Sequence, residues 1–381
     1  MSNKVENYAL KILITNAVLT GRTGTEVVVR DLSLELKRQG HDPQVCSPSL
    51  GPIADEIRKQ GIAVTTEPRQ HGWVPDIIHG QHHAQTLAAL LRFPDTPAVM
   101  VCHDFTSWRD EPLIFPRVLR YVAVDHRCKR RFDENPRIPK AKVRVVPNAV
   151  DLSRFKQRPP LPPAPGRAAI FSNYATEWTH APAVIKACEN LGLKVDVIGA
   201  GFDALAIEPE KVLPEYDLVF AKARCALEAM AVGSAVVLCD FAGLGPMVTS
   251  ENFAALRKMN FGAGVLTRPL DPALIAVEVS RYDPQDARRV SERVHEEAGL
   301  RRAVFDWIEL YEEVCGEYVP SDAGRTEELA ALADYLARWH FEAGVEWEQL
   351  RLRDTLRWPK LGGWIHRSLH RGTLRRLLRR T

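Results

Sequence analysis

The chain has 381 residues, 45% of them hydrophobic and 26% charged, with seven cysteines and a formal net charge of +3. That length exceeds one ordinary core and predicts two domains, and the composition is that of a globular protein, with no apolar run long enough to span a membrane. The small net charge excludes a strong polyanion binder, and no partnership with nucleic acid is expected.

The N-terminal "MSNKVENYALKILITNAVL" carries no cleavable pattern, and "ALKILITNAV" reads as a buried strand. "TGRTG" is a loop, and "TEVVVRDLSLELKRQG" is an amphipathic helix closed by Gly40. "DPQVCSP" is a second strand, "IADEIRKQG" a second helix and "IAVTTEP" a third strand. "PDIIHGQ", "PAVMVCHD", "RYVAVD" and "KVRVVPN" follow as strands, with helical stretches such as "AQTLAALLRF" among them. Strand–helix alternation with apolar, β-branched strands predicts an α/β fold, a parallel sheet covered on both faces.

Five prolines between Phe155 and Arg167 then mark a stiff linker. The expected domains are residues 1–156, a linker at 157–167, and a second α/β domain at 168–319. In that second half "AAIFSNY", "KVDVIGAG", "YDLVFA" and "SAVVLCD" are strands, and the last helix is "RRAVFDWIELYEEVCGEY". Two such halves enclose a cleft, and ligands sit beyond the carboxyl ends of the strands.

Residues 320–381 read as a helical, basic extension. Leu329, Leu332, Leu336, Trp339, Ala343, Trp347 and Leu350 form one stripe. From Arg351 to Thr381 there are ten Lys or Arg against one acid, Asp354. The tail, with Trp364, Ile365, Leu369, Leu374, Leu377 and Leu378 among its arginines, fits peripheral contact with an anionic membrane. Packing on the protein, pairing into a homodimer and a solvated end stay open. The cysteines form no Cys-x-x-Cys pair and read as reduced structural thiols in a cytoplasm, where the inner membrane face is the surface on offer.

The stretch "AKARCALEAMAVGSAVVLCD" holds one carboxylate near its start, Glu228, at the head of a predicted helix. A carboxylate there accepts hydrogen bonds from a sugar diol, and a helix N-terminus favours phosphate. Lys222 and Arg224 could supply positive charge beside it, with Asn173 a weaker candidate. The solvated reading of both cations stays open. His79, His82 and His83 lack the further ligand that a zinc site needs, so no metal is expected.

"YDLVFAKARCALEAMAVGSAVVLCD" resembles the donor-binding signature of the GT-B glycosyltransferases of the retaining family 4, E-x7-E followed by A-M-A-x-G-x-P-V-V. Other segments resemble the family in order: "TNAVLTGRTGTEVVVRDLSLELKRQGH", "DIIHGQHH", "AVMVCHD", "VRVVPNAVDLSRF" and "VDVIGAG". The resemblance covers about residues 10–318. It implies two Rossmann-like domains facing across a cleft, an N-terminal acceptor-side domain and a C-terminal donor domain. It implies transfer of a sugar from a nucleotide sugar, UDP- or GDP-linked, to a glycan or lipid-linked acceptor, with no cofactor and no metal. By the same resemblance Glu228 binds the ribose. Gly24 and Thr25 approach the diphosphate and acceptor, Gly199 and Gly201 form the V-G-x-G turn of the donor site, and His103 faces the donor sugar.

Two departures stand out. Phe220 occupies the position of the first acid of E-x7-E, and "FSNYATEWTH" lacks the usual basic pair for the diphosphate. They leave open an inactive GT-B partner subunit, or a nucleotide-sugar epimerase on the same fold. The absence of any Asp-x-Asp argues against the metal-dependent GT-A alternative.

Overall fold

The computed structural model describes residues 9–68, 72–320 and 324–338. Contacts divide the chain into two compact units, one spanning the described residues up to Val319 apart from 114–116. In the other unit, residues 324–338 are helical. The stripe from Trp339 onward and the basic tail lie outside the described residues.

The first sheet is built from β1 (Lys11–Thr15), β2 (Asp42–Cys46), β3 (Ala63–Thr65), β4 (Ile77–Gln81), β5 (Ala98–Cys102), β6 (Val118–Ala123) and β7 (Val143–Val145). Its order is β3-β2-β1-β4-β5-β6-β7 and every pairing is parallel. Ile12, Ile14, Ile77, Ile78, Val99 and Val101 are fully buried, because helices cover both faces. The first of these helices is α1 (Gly24–Arg38), followed by α2 (Pro52–Lys59), α3 (His83–Arg92) and α4 (His126–Asp133).

The second sheet has the order β12-β11-β10-β8-β9. Its elements in chain order are β8 (Arg167–Phe171), α5 (Ala181–Asn190), β9 (Lys194–Ile198), α6 (Pro209–Val212), β10 (Leu218–Ala221), α7 (Ala223–Val232), β11 (Ala235–Asp240) and β12 (Gly243–Met247). Only β12 runs antiparallel. Helices α8 (Phe253–Lys258), α9 (Pro272–Val279), α10 (Pro284–Glu297) and α11 (Leu300–Glu317) complete the unit.

Two findings go beyond the pattern in the sequence. The proline-rich segment is not a free spacer: the Arg158 N–H donates to the Val232 carbonyl at 2.9 Å and its guanidinium pairs with Asp217 at 3.0 Å. The last helix, which its position assigns to the second half, packs on the first. Tyr311 on α11 bonds His79 Nδ1 at 2.7 Å, Trp307 stacks edge-on against the same ring, and Arg120 on β6 pairs with Glu313 and Glu317. The chain therefore crosses between the sheets twice. The crossings are tied together by Val150 N–H to the Ala298 carbonyl and Leu300 N–H to the Val150 carbonyl, both 2.9 Å.

Candidate functional site

The carboxyl ends of the two parallel sheets face each other. Asn173, just beyond β8, donates from Nδ2 to the Arg22 carbonyl at 3.0 Å. Its Oδ1 accepts from the Ala200 N–H at 3.3 Å, so this side chain bridges the first-half loop to the turn after β9. Burial opposes the charge of Asp104, after β5, but hydrogen bonds from Thr106 and Ser107, with a smaller contribution from the charge of Lys222 after β10, hold its carboxyl below the ordinary range.

On the first-half wall, Glu26 organises the loop before α1. Its carboxylate oxygens accept from the N–H groups of Gly21 and Thr23, both at 2.8 Å. Gly24 and Thr25 are the first two residues of α1, whose amides have no intrahelical partner by geometry. A Cβ at Gly24 would meet nothing within 4 Å, so that glycine leaves open space. His103 follows β5, where its N–H donates to Asp110 Oδ1 at 2.7 Å. Burial, only partly offset by Asp104, pushes its imidazole down to about 4, so it is neutral at pH 7. His79 and His82 are likewise pushed down by burial, to about 3 and about 4. Among the described residues no group of His, Cys, Asp and Glu is placed to hold a metal ion.

On the second-half wall, Lys222 caps α7. Its ammonium pairs with the fully buried Asp240 at 2.7 Å and lies over the rings of Tyr174 (5.4 Å) and Phe241 (5.1 Å). Those rings meet edge-on and are both about half exposed. Ala223 follows with φ +48, an unusual conformation for a residue with a Cβ, fixed by its N–H bond to the Phe261 carbonyl at 2.7 Å.

Several expectations are corrected here. Glu228 is not at the head of its helix but one and a half turns in, because α7 begins directly after β10 at Ala223. Arg224 is not a solvated cation. It is buried, donates from Nε to Glu228 Oε1 at 2.8 Å, and its Nη2 reaches Asp31 on α1 of the first half. Burial opposes its charge, but the two carboxylates prevail and raise its pKa. Burial raises the Glu228 carboxyl despite Arg224, whereas Arg224 and Arg30 overcome burial and lower Asp31. Arg30 holds Asp31 at 2.7 and 2.8 Å, and Arg154 approaches it at 3.8 Å. The guanidinium of Arg224 is thus committed to carboxylates. Gly199 and Gly201 have a packing reason for their identity: a Cβ would collide with the carbonyl oxygens of Ser172 and Ala175. Phe220 is fully buried inside β10, so its position points into the sheet core.

Asp31, Asp240, Tyr174 and Phe241 were not singled out by sequence reasoning. Only Asp240, closing "VVLCD", had a local signal, a charge at a strand's carboxyl end.

Residues 22–154 match the family described as Glycosyltransferase Family 4. Among solved structures, HepE of Anabaena, determined with UDP and glucose, aligns at TM-score 0.58 and 14% identity, over 80% of this chain and 100% of that one. A glycosyltransferase from Rickettsia africae aligns at 0.54 and 14%, over 81% of this chain and 100% of that one. No curated protein sequence matches. Identities this low show the fold, which is the GT-B fold of glycosyltransferases, and the family match lies in its first half.

Proposed function

We propose that the protein moves a sugar from a nucleotide-sugar donor to an acceptor with retention, in the synthesis of a glycan, polysaccharide or glycolipid. The observation that carries this reading is Lys222, held by Asp240 at the start of α7 and acting by its charge on Asp104 of the opposite half. A donor diphosphate would lie against Lys222 and the amides opening α7, where a cation and a helix dipole stabilise the charge that grows on departure. The acceptor oxygen bonds to the anomeric carbon as the bond from that carbon to the diphosphate oxygen breaks. The acceptor proton passes to the departing phosphate oxygen. No side-chain nucleophile is required, and closure of the cleft supplies proximity. His103, neutral, would contact the transferred sugar, and the second oxygen of Glu228 would take ribose hydroxyls while Arg224 keeps the first. Retention rests on the resemblance to the retaining family. HepE was solved with UDP, which puts UDP-sugars first among donors, with GDP-sugars next. Among the described residues no helix is long and apolar enough to cross a membrane, so peripheral contact rests on the basic tail.

Phe220 in place of an acid favours a second reading, a subunit that binds nucleotide without turnover. Incubation with a panel of UDP- and GDP-sugars in the presence of a chelator separates the two. Metal-independent release of nucleoside diphosphate is expected. Saturable binding with no turnover of any donor would favour the silent subunit.

A further inference from the structure

A hollow of about 910 Å³ lies where the chain crosses between the two sheets, a size that suits a small molecule. Three stretches line it: the C-terminal end of α1 with His41 behind it, residues 151–156 of the first crossing, and the start of α11 after the second. It is remote from the cleft. Gly24, on the cleft wall, opens α1, and Arg38 closes the same helix about 20 Å away at 1.5 Å per residue. The floor is hydrocarbon, made by Leu152, Leu300, Phe305 and Ile308, with Phe305 44% exposed.

The rim is cationic. Arg38, Lys156 and Arg301 stand there against Glu35 and Asp151. Both acids are already satisfied. Arg38 Nη1 donates to Glu35 at 3.0 Å and to Asp151 at 3.3 Å, Gln39 Nε2 donates to Glu35 at 2.9 Å, and the Ser153 N–H donates to Asp151 at 2.9 Å. The side chains of Lys156 and Arg301 have no charged partner among the described residues. His41 adds a neutral donor. Its Nδ1 accepts from the Leu10 N–H at 3.2 Å, so the ring proton sits on Nε2, and burial holds the ring below its ordinary pKa despite Glu312.

Two free cations and one N–H donor above a hydrocarbon floor suit an anion joined to an apolar body. A phosphate has acceptors for all three groups, and a guanidinium matches it in a two-pronged bond. A nucleobase fits poorly, because its polar edge would lie unpaired on Leu152, Leu300 and Ile308. A hydrocarbon chain leaves nothing unpaired there and gains by leaving water. We propose that the hollow at the crossings binds a phosphate ester of a hydrocarbon chain, its phosphate among Lys156, Arg301 and His41 and its chain over Phe305 and Ile308. Such a ligand touches α1 and both crossings, and so stiffens the joint between the two halves. The inference does not depend on the glycosyl-transfer reading.

Calorimetric titration of the full chain with octyl phosphate, kept below its critical micelle concentration, reads the site without turnover. Octyl glucoside keeps the chain without the charge, inorganic phosphate keeps the charge without the chain, and AMP puts a base in place of the chain. Octyl phosphate should bind about tenfold or more tightly than any of the three, and equally well when UDP or GDP saturates the cleft. Lys156→Gln combined with Arg301→Gln should weaken it about tenfold or more, and Phe305→Ser should weaken it severalfold. The melting temperature of the double variant should not fall, because neither cation has a partner to lose. Octyl glucoside or AMP bound as tightly as octyl phosphate overturns the inference. So does displacement of octyl phosphate by UDP or GDP, or full octyl phosphate affinity in the double variant. A chain that takes octyl phosphate but no nucleotide would strike the transferase reading and leave this site standing.

Discussion

Arg224→Met is the perturbation whose cost the structure defines best. The guanidinium lies between Glu228 on its own helix and Asp31 on α1, both nearly fully buried, and joins the two halves of the unit. Asp31 keeps Arg30 at 2.7 Å when Arg224 is removed, with Arg154 nearby at 3.8 Å. Glu228 has no second cation within ion-pair distance among the described residues, so the variant strands one buried carboxylate. Breaking a buried pair in that way costs about 3–5 kcal/mol, against about 1 kcal/mol or less for an exposed pair. At about 2–4 °C per kcal/mol, the melting temperature should fall by about 10 °C. Two controls follow. Arg224→Met combined with Glu228→Gln should recover most of the loss, since no charge is left unpaired. In the single variant the deficit should shrink as pH falls, because Glu228, already raised by burial, can then bind a proton in the folded state. Differential scanning calorimetry of the four proteins gives the cycle. A single variant that melts within about 2 °C of the wild type, or a double variant no better than the single, would refute the buried-network account.

Lys222→Ala should weaken UDP or GDP binding by about 10–100-fold, from the loss of ~1.5–3 kcal/mol of charged bonding, while uridine or guanosine binding stays level. Calorimetric titration of each pair checks this, with Lys222→Arg expected to retain part of the affinity. His103→Ala should reduce transfer more than nucleotide affinity, and equal losses in both would remove it from the sugar. His79, His82 and His103 are held down by burial at about 3, 4 and 4, from an ordinary 6.5. Below pH 6.5 the unfolded chain takes up protons that the folded chain refuses. Stability should therefore be complete above that pH and fall toward pH 4, by about 1.4 kcal/mol per unit for each histidine. Melting temperatures measured from pH 7.5 to 5 test the sign.

What the sequence made legible was local. Apolar strands such as "KILIT" and "AVMVC", alternating with amphipathic helices, were sufficient for two parallel sheets with ligands at their carboxyl ends. Lys222 could be read as a cation at that edge. The contacts that set its surroundings could not. Arg224 and Asp31 are 193 positions apart, and nothing near either records the other. The stripe of Val304, Trp307, Tyr311 and Val314 announces a buried face on α11 but not which sheet it covers. Glu228 was placed too early because the junction between β10 and α7 carries no turn residue. Only Lys222 lies between Ala221 and Ala223, and the strained Ala223 absorbs the bend.

The most direct test is a crystal structure of the full chain with UDP or GDP bound, whichever binds tighter. The account predicts the diphosphate between the two sheets, within hydrogen-bonding distance of the Lys222 ammonium and the first amides of α7. The ribose should lie on Glu228 and the terminal phosphate should face His103. A nucleotide seated elsewhere, or a diphosphate held by groups other than Lys222 and the start of α7, would contradict it.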